Sequence, residues 1–175
     1  NSISKKIQQQ YEKFPYPRWF NTYPIYPINF ISSLKHQINY EEIKKNNIFD
    51  NPEILIAGCG TGRHVISACN YLNSNVLAID LSLNALAYAK RKSDELNINY
   101  VKYLQSDILN LEKLDKKFHV IESIGVLHHM QNPEKGLNIL LKLLKSEGYL
   151  KLGLYSKLER NHISELRKIV KKKKF

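Results

Sequence analysis

The chain has 175 residues, of which 43% are hydrophobic and 25% charged, and its formal net charge is +11. This length suits one domain with a sizeable core, and the composition excludes a disordered or fibrous chain. No apolar run of about 18 residues occurs, so no membrane span is predicted. Two cysteines are too few for a disulfide framework, so we expect a cytoplasmic protein.

The positive charge raises the question of nucleic-acid binding. Most of the excess is Lys rather than Arg, it is spread along the chain, and its densest run, Lys171 to Lys174, is terminal. Such a distribution is more typical of a solvated surface and tail than of a surface that reads a nucleic acid. We therefore predict that nucleic acid is not the substrate, with an RNA-binding enzyme as the alternative.

Residues 1–50 form a first segment, in which four of the six prolines alternate with aromatic residues. Because each proline fixes φ and biases its predecessor toward extended backbone, we predict an irregular aromatic arm. One helix is predicted before it, from Ile3 to Tyr11, and another after it, from about Phe30 to Lys45. The arm is either a lid over a ligand crevice or a structural element packed on the sheet edge or against a partner domain. As a lid it would use Tyr11, Tyr16, Arg18 and Trp19.

Residues 51–175 form a second segment, in which strand and helix patterns alternate. The runs "EILIAG", "NVLAID", "YVKYLQSD", "FHVIESIGV" and "YLKLGLYS" are typical of strands. Helices fill the intervals: Ser82 and Asn132 are predicted N-caps, the helix after Asn132 runs to about Lys145, and a last helix covers residues 160–172. The pattern predicts an α/β fold, a doubly wound and mostly parallel sheet of order 3-2-1-4-5 with helices on both faces. Its ligand should lie between the first and fourth strands.

A glycine loop follows the first strand in "ILIAGCGTGRH". Gly58 and Gly60 can take positive φ and let a ligand approach the backbone, while the helix that starts near Gly62 directs free N–H groups at an anionic group. The spacing is Gly-x-Gly-x-Gly, and no Lys-Ser/Thr pair follows, so a nucleoside triphosphate loop is not predicted.

Acidic residues end the second and third strands. Asp80 lies twenty positions after Gly60, where a carboxylate can accept hydrogen bonds from both hydroxyls of a ribose. Asp80 could instead cap the next helix, although Ser82 is already available as that cap. Asp107 could accept from the exocyclic amine of adenine while Ile108 packs on the purine face. Together with the glycine loop, these residues describe a site for an adenosine that carries an anionic group at its far end.

Over residues 50–156 the chain resembles the class I, Rossmann-like S-adenosylmethionine-dependent methyltransferases. The motifs that carry the resemblance are "ILIAGCGTGRH", "VLAIDLSLNALAYAK", "YLQSDILNL" and "FHVIESIGVLHHMQNPEKGLNILLKLLKSEGYLKLGLYS". One departure is His119, where the family usually has Asp. The antiparallel strands that usually end the family fold are expected to be missing.

The resemblance implies that the cofactor is S-adenosylmethionine, with Asp80 at the ribose and Asp107 and Ile108 at the adenine. Glu122 and Ser123 would touch the methionine portion, although Glu122 could instead pair with a base such as Arg63 or Lys151. The implied cofactor-binding set is Gly58, Cys59, Gly60, Thr61, Gly62, Asp80, Leu81, Asp107, Ile108, Glu122 and Ser123.

The stretch "VLHHM" places two histidines just past the fourth strand. His128 or His129 could take a proton from an oxygen or nitrogen acceptor, with His128 the first choice. Alternatively, one of them packs against the loop and the other faces solvent. His64 and His119 are too scattered to suggest a metal site.

The implied reaction is methyl transfer to an O, N or C acceptor on a small molecule or protein. Two other classes stay open: a nicotinamide-dependent oxidoreductase, which shares the fold, and a non-catalytic cofactor-binding module of a larger assembly. The segment "QQQYEKFPYPRW" is similar to one that precedes methyltransferase domains in some bacterial tetratricopeptide-repeat proteins. Because the chain lacks an initial Met, we expect it to be part of a longer protein, with such repeats upstream.

Overall fold

The computed structural model describes residues 2–21, 26–38 and 49–156. Its helices are α1 (Ser2–Lys13), α2 (Phe30–Ile38), α3 (Arg63–Ala68), α4 (Leu83–Glu95) and α5 (Pro133–Leu143). Its strands are β1 (Glu53–Ala57), β2 (Asn75–Asp80), β3 (Lys102–Gln105), β4 (Phe118–Ile124) and β5 (Leu144–Gly153). Short 3₁₀ helices cover Ile108–Lys113 and Leu127–His129. The predicted final helix, residues 160–172, lies outside the described residues, as do residues 39–45 of the predicted second helix.

The five strands form one parallel sheet of order β3-β2-β1-β4-β5, which confirms the predicted fold class. Alternate residues of each strand enter two separate cores, as the two-residue period of a strand requires. Ile54 and Ile56 pack with α2, α3 and α4 on one face, and Leu55 and Ala57 pack with α5 on the other. The inner strands β1, β2 and β4 are therefore mostly buried and apolar, whereas the edge strands β3 and β5 are more exposed and more polar.

α5 ends two residues before the predicted position, because β5 already begins at Leu144. Leu144 is extended (φ −78°, ψ 137°) and pairs with Phe118, after which the register shifts so that Val120 pairs with Tyr149. This shift in register accommodates the residues between Leu144 and Tyr149. The chain therefore passes from helix to strand without a separate turn.

The N-terminal arm is fastened to the loop that follows β1. The Trp19 indole donates to the carbonyl of Thr61 at 3.1 Å, and Trp19 is only 8% exposed. The hydroxyl of Thr61 in turn donates to the carbonyl of Pro17, and the hydroxyl of Tyr88 on α4 donates to the carbonyl of Trp19. These reciprocal bonds fix the arm across the carboxyl edge of the sheet.

α1 is held at the beginning of α4. The Glu12 carboxylate accepts from the backbone N–H groups of Leu83 at 2.8 Å and Asn84 at 2.9 Å, and Ser82 caps the next one, that of Ala85, at 3.1 Å. A helix leaves its first N–H groups without partners inside the helix, so Glu12 completes the cap from another part of the chain. Ser82 as the N-cap of α4 is confirmed.

Replacing Glu12 by Gln should lower the free energy of unfolding by about 1 kcal/mol near pH 7. Burial alone would raise the pKa of Glu12, but the hydrogen bonds from Asn84, Leu83 and Ser82 outweigh it and hold this pKa below its usual 4.5. The carboxylate's contribution is therefore present above the usual pKa and disappears as pH falls through the lower folded value. Urea denaturation of both proteins from neutral to acidic pH measures it.

Glu95→Gln, at the other end of α4, is the matched control for Glu12→Gln. Its exposed ion pairs with Lys92 and Arg91 should contribute less than about 0.5 kcal/mol. Equal losses in the two variants, or a difference between wild type and Glu12→Gln that stays constant down to acidic pH, would contradict the assigned cap.

Among residues 2–21, 26–38 and 49–156, no helix is long and apolar enough to cross a membrane.

Candidate active site

A cavity of about 520 Å³ lies at the carboxyl ends of the strands, between the sheet edge and α1. Eight of the predicted site residues line it: Gly58, Cys59, Gly60, Asp80, Leu81, Asp107, Ile108 and His129. The arm and α1 close it with Ser4, Ile7, Tyr11, Tyr16 and Pro17. The N-terminal arm is therefore a structural element bonded to the loop after β1 and, at the same time, part of the cavity wall.

The glycine loop uses its three positive-φ residues in different ways. A Cβ atom on Gly60 (φ +52°) would lie 2.6 Å from the carbonyl oxygen of Tyr16, so Gly60 lets the arm approach. A Cβ on Gly62 (φ +89°) would lie 2.7 Å from the Cβ of Ala89, so Gly62 serves the packing of α3 on α4. The N–H groups of Gly58 and Cys59 donate to the carbonyl of Ile79, which ties the loop to the end of β2.

The Asp80 carboxylate lies between this loop and the start of α4. One oxygen accepts from the N–H of Gly60 at 2.7 Å and the other from the N–H of Ser82 at 2.9 Å. Each carboxylate oxygen has a second lone pair, so both can accept one more hydrogen bond from the cavity. Burial raises the pKa of Asp80, against the backbone hydrogen bonds, those from Ser82 and Gly60 foremost, that lower it. Because Ser82 is the cap of α4, Asp80 retains capacity for a ligand.

Asp107 follows β3 at the same edge. Its carboxylate accepts from the N–H of Leu109 at 2.9 Å, and Ile108 is 5% exposed. The N–H of Ser106 donates to the carbonyl of Asp80 at 3.0 Å, so the turns after β2 and β3 are directly bonded. The glycine loop, Asp80 and the Asp107–Ile108 pair are thus arranged consecutively along one wall of the cavity.

The histidine pair after β4 occupies two positions. His129 lines the cavity and His128 does not, which reverses the order of preference drawn from the sequence. Their Nε2 atoms lie 3.1 Å apart, and the ring centroids of His128 and Tyr155 lie 4.0 Å apart. Of the two histidines, His129 is therefore the one at the cavity wall.

Four other predicted residues do not line this cavity: Thr61, Gly62, Glu122 and Ser123. Glu122, 4% exposed, lies instead at a second cavity of about 690 Å³, on the side of the sheet that packs against α2 and α3. Burial raises the pKa of Glu122, and Lys151, its partner in the β4–β5 register, counteracts this. The ammonium of Lys151 itself donates to the side-chain oxygen of Gln37 at 3.1 Å, so its attraction to Glu122 acts at longer range. Ser123 is fully buried.

Several cavity residues were not identified from the sequence: Ser106, Val126, Met130, Leu154 and Tyr155. Leu154 and Tyr155 carried a usable signal, because they directly follow β5 and the carboxyl ends of parallel strands share one edge. His119, the departure from the family pattern, lies away from this edge, where its Nδ1 accepts from the N–H of Glu53 at 2.9 Å. In the described part of the chain, no group of three or more His, Cys, Asp or Glu is placed to hold a metal.

The parallel sheet, the bare glycine loop and the carboxylate after β2 define the class I, Rossmann-like methyltransferase fold. A family model described as "Methyltransferase domain" matches residues 48–175. The chain belongs to this family, which confirms the class predicted from the sequence motifs.

Individual relatives agree with this assignment. An uncharacterised protein of Synechococcus is 30% identical over 125 residues, which are 68% of this chain and 29% of that protein. The ubiquinone biosynthesis O-methyltransferase of Glaesserella parasuis is 29% identical over 154 residues, 86% of this chain and 64% of the enzyme. The structure of PKMT2 from Rickettsia typhi in complex with AdoHcy matches with a TM-score of 0.61 and 26% identity, covering 69% of this chain and 24% of PKMT2. The chain thus spans less than two thirds of each.

Proposed function

We propose that the chain binds S-adenosylmethionine in the 520 Å³ cavity and transfers its methyl group to an acceptor on a small molecule or protein. The observation that carries this proposal is the Asp80 carboxylate, which is held by two backbone N–H groups and has one lone pair left on each oxygen. A ribose offers two adjacent hydroxyls, which match these two acceptors. A nicotinamide dinucleotide also contains a ribose, so the rest of the cavity has to distinguish them.

The lining also offers partners for the base of this cofactor. Asp107 supplies an acceptor for an exocyclic amine, and Ile108 supplies an apolar surface for a purine. Gly58 and Gly60 contribute backbone to the same wall, while the space beside their Cα atoms is filled by Val126 and by the carbonyl of Tyr16. The names of the relatives lend support, since one is an O-methyltransferase and the PKMT2 structure contains AdoHcy.

When bound, the cofactor supplies a methyl group that its sulfonium makes electrophilic. The protein's own residues then position the cofactor and the acceptor, exclude water and move a proton. Ile7 on α1 and Met130 after β4 are apolar parts of the wall that reduce access of water. His129, at the same wall, is the proposed base for an acceptor that carries a proton. A cytoplasmic location and upstream tetratricopeptide repeats stay predictions from the sequence.

Calorimetric titration with S-adenosylhomocysteine and with NAD tests the proposed cofactor. We expect saturable binding of S-adenosylhomocysteine and none of NAD at the same concentration. A preference for NAD would reject the methyltransferase proposal and support an oxidoreductase. Incubation with methyl-labelled S-adenosylmethionine and an acceptor panel then separates an enzyme from a binding module, which would bind the cofactor without turnover.

Replacing His129 by Asn should lower kcat about 100-fold with the acceptor found in that panel, because the base at the cavity wall is lost. The affinity for S-adenosylhomocysteine should change little, since Asp80 and the glycine loop are intact. His36→Asn, an exposed position on α2, is the control and should match wild type. A large loss in His128→Asn combined with a normal rate in His129→Asn would move the role to His128.

A further inference from the structure

Three aromatic side chains, which we call the aromatic wall, form one continuous part of the cavity: Tyr11, His129 and Tyr155. The ring centroids of Tyr11 and His129 lie 6.4 Å apart at 70°, and those of His129 and Tyr155 lie 6.3 Å apart at 87°. Both are edge-to-face contacts, which fix the orientation of each ring. None of the nucleoside contacts proposed above uses this wall.

The aromatic wall lies at the open side of the cavity. Tyr155 is 50% exposed, and Tyr16, which also lines the cavity, is 66% exposed. The ring of Tyr11 is partly buried. Burial raises the pKa of Tyr11 first, and the charges of Tyr155, Asp80 and Tyr16 raise it further, so these groups lie near one another. The phenol rings of Tyr155 and Tyr16 are therefore among the exposed parts of the cavity lining, where a molecule entering from solvent can contact them.

The charges and aromatic faces of the cavity favour a cationic ligand at the aromatic wall. Aromatic faces carry a negative electrostatic potential and bind ammonium groups. The ionisable lining consists of the carboxyls of Asp80 and Asp107, the guanidinium of Arg63, two histidines, three tyrosines and the thiol of Cys59, whose pKa burial raises. Burial lowers the pKa of His64, and Lys151 and Arg63 lower it further, so His64 is neutral near pH 7. Arg63 belongs to the glycine-loop side, at the start of α3.

An oxygen acceptor suits this wall less well than a nitrogen acceptor. An alcohol or phenol becomes more anionic as it loses its proton, and aromatic faces and nearby carboxylates disfavour an anion. An amine enters as an ammonium and leaves as a methylated ammonium, so it is cationic before and after the reaction. The wall can therefore stabilise an amine at both ends of the reaction.

We propose that the methyl acceptor is an alkylamine bound by Tyr11, Tyr155 and His129, an inference that rests on the proposed function. His129 takes one proton from the ammonium, which leaves a neutral amine with a free electron pair. That pair forms the new C–N bond while the C–S bond breaks, and the electrons of the C–S bond stay on sulfur. The products are a methylated ammonium, a neutral thioether and a protonated His129, which then releases its proton to water; the positive charge of the sulfonium moves to nitrogen.

A matched pair of acceptors tests this inference: n-butylamine and n-butanol, with methyl-labelled S-adenosylmethionine. We expect label in the amine and none in the alcohol. Tetramethylammonium chloride should inhibit the amine reaction competitively, while sodium chloride at equal ionic strength should not. Methylation of the alcohol in preference to the amine, or equal effects of the two salts, would overturn the proposal.

Two substitutions at one position test the role of the ring. Tyr155→Phe keeps an aromatic face and Tyr155→Leu removes it, so KM for n-butylamine should be about tenfold higher in the Leu variant than in the Phe variant. Equal KM values would overturn the role of the wall. If wild type fails to bind S-adenosylhomocysteine, the proposed function itself fails. If it binds S-adenosylhomocysteine but does not methylate the amine, only the acceptor assignment fails.

Discussion

Replacing Asp80 by Ala is expected to weaken the binding of S-adenosylhomocysteine about a thousandfold. Two charge-assisted hydrogen bonds to the ribose hydroxyls are lost, each worth on the order of 1.5–3 kcal/mol. The N–H of Gly60 also loses its acceptor, so the glycine loop is held less firmly. Isothermal titration calorimetry of wild type and variant measures the change.

Asp94→Ala is the control for Asp80→Ala. Asp94 lies on α4 and is 51% exposed, and its carboxylate contacts the ammonium of Lys90 at 2.5 Å, away from the cavity. Its loss should leave S-adenosylhomocysteine binding unchanged. An Asp80→Ala protein that is folded by circular dichroism and binds S-adenosylhomocysteine as tightly as wild type would remove the basis of the proposed function.

The affinity for S-adenosylhomocysteine should also depend on pH in a direction fixed by Asp80. A protonated carboxyl group loses acceptor capacity, so affinity falls as pH falls through the folded pKa. Because burial raises this pKa above the usual 3.8, the fall should begin at a higher pH than for an exposed aspartate. The pH dependence should be absent from Asp80→Ala, which separates this effect from the titration of other groups.

Replacing Gly60 by Ala is expected to lower the free energy of unfolding by about 3 kcal/mol. About 1 kcal/mol comes from forcing an alanine to a positive φ. The rest comes from the new methyl group, which would lie 2.6 Å from the backbone oxygen of Tyr16, and backbone cannot move aside as a flexible side chain can. Denaturation by urea, followed through Trp19, the one tryptophan of the chain, measures the change.

Gly125→Ala is the matched control for Gly60→Ala. Gly125 also has a positive φ of 76°, but no heavy atom lies within 4 Å of the position that its new methyl group would take. Gly125→Ala therefore reports the conformational cost alone, and the difference between the two variants isolates the contact with the arm. Equal losses would show that the arm does not pack against Gly60 in solution.

The sheet could be predicted from the sequence because its signals are local. Runs of β-branched residues mark the strands, and functional residues of parallel sheets lie at strand ends, so Asp80 and Asp107 were recognisable by position alone. The two-residue period of a strand also indicates that Glu122 does not face the cavity. It is two residues from Val120, so both point to the side of the sheet that packs against α2 and α3 rather than to the carboxyl edge.

The arrangement of the N-terminal segment could not be predicted, because it depends on contacts between distant residues. Glu12 and Leu83 are 71 positions apart, and Thr61 and Pro17 are 44 positions apart. A glutamate in a polar helix carries no sign of the helix end that it will cap. Nor does the sequence show that Gly60, chosen there as a ligand contact, also accommodates the carbonyl of Tyr16.

The attachment of α1 to α4 has a consequence for the order of folding. α1 leaves the ribosome before any strand of the sheet, yet the N–H groups that bind Glu12 exist only after α4 has formed. Closing so long a segment of chain costs entropy, which only the finished sheet can offset. We therefore expect α1 to be synthesised before the sheet but to dock among the last elements, so that the cofactor cavity closes at the end of folding.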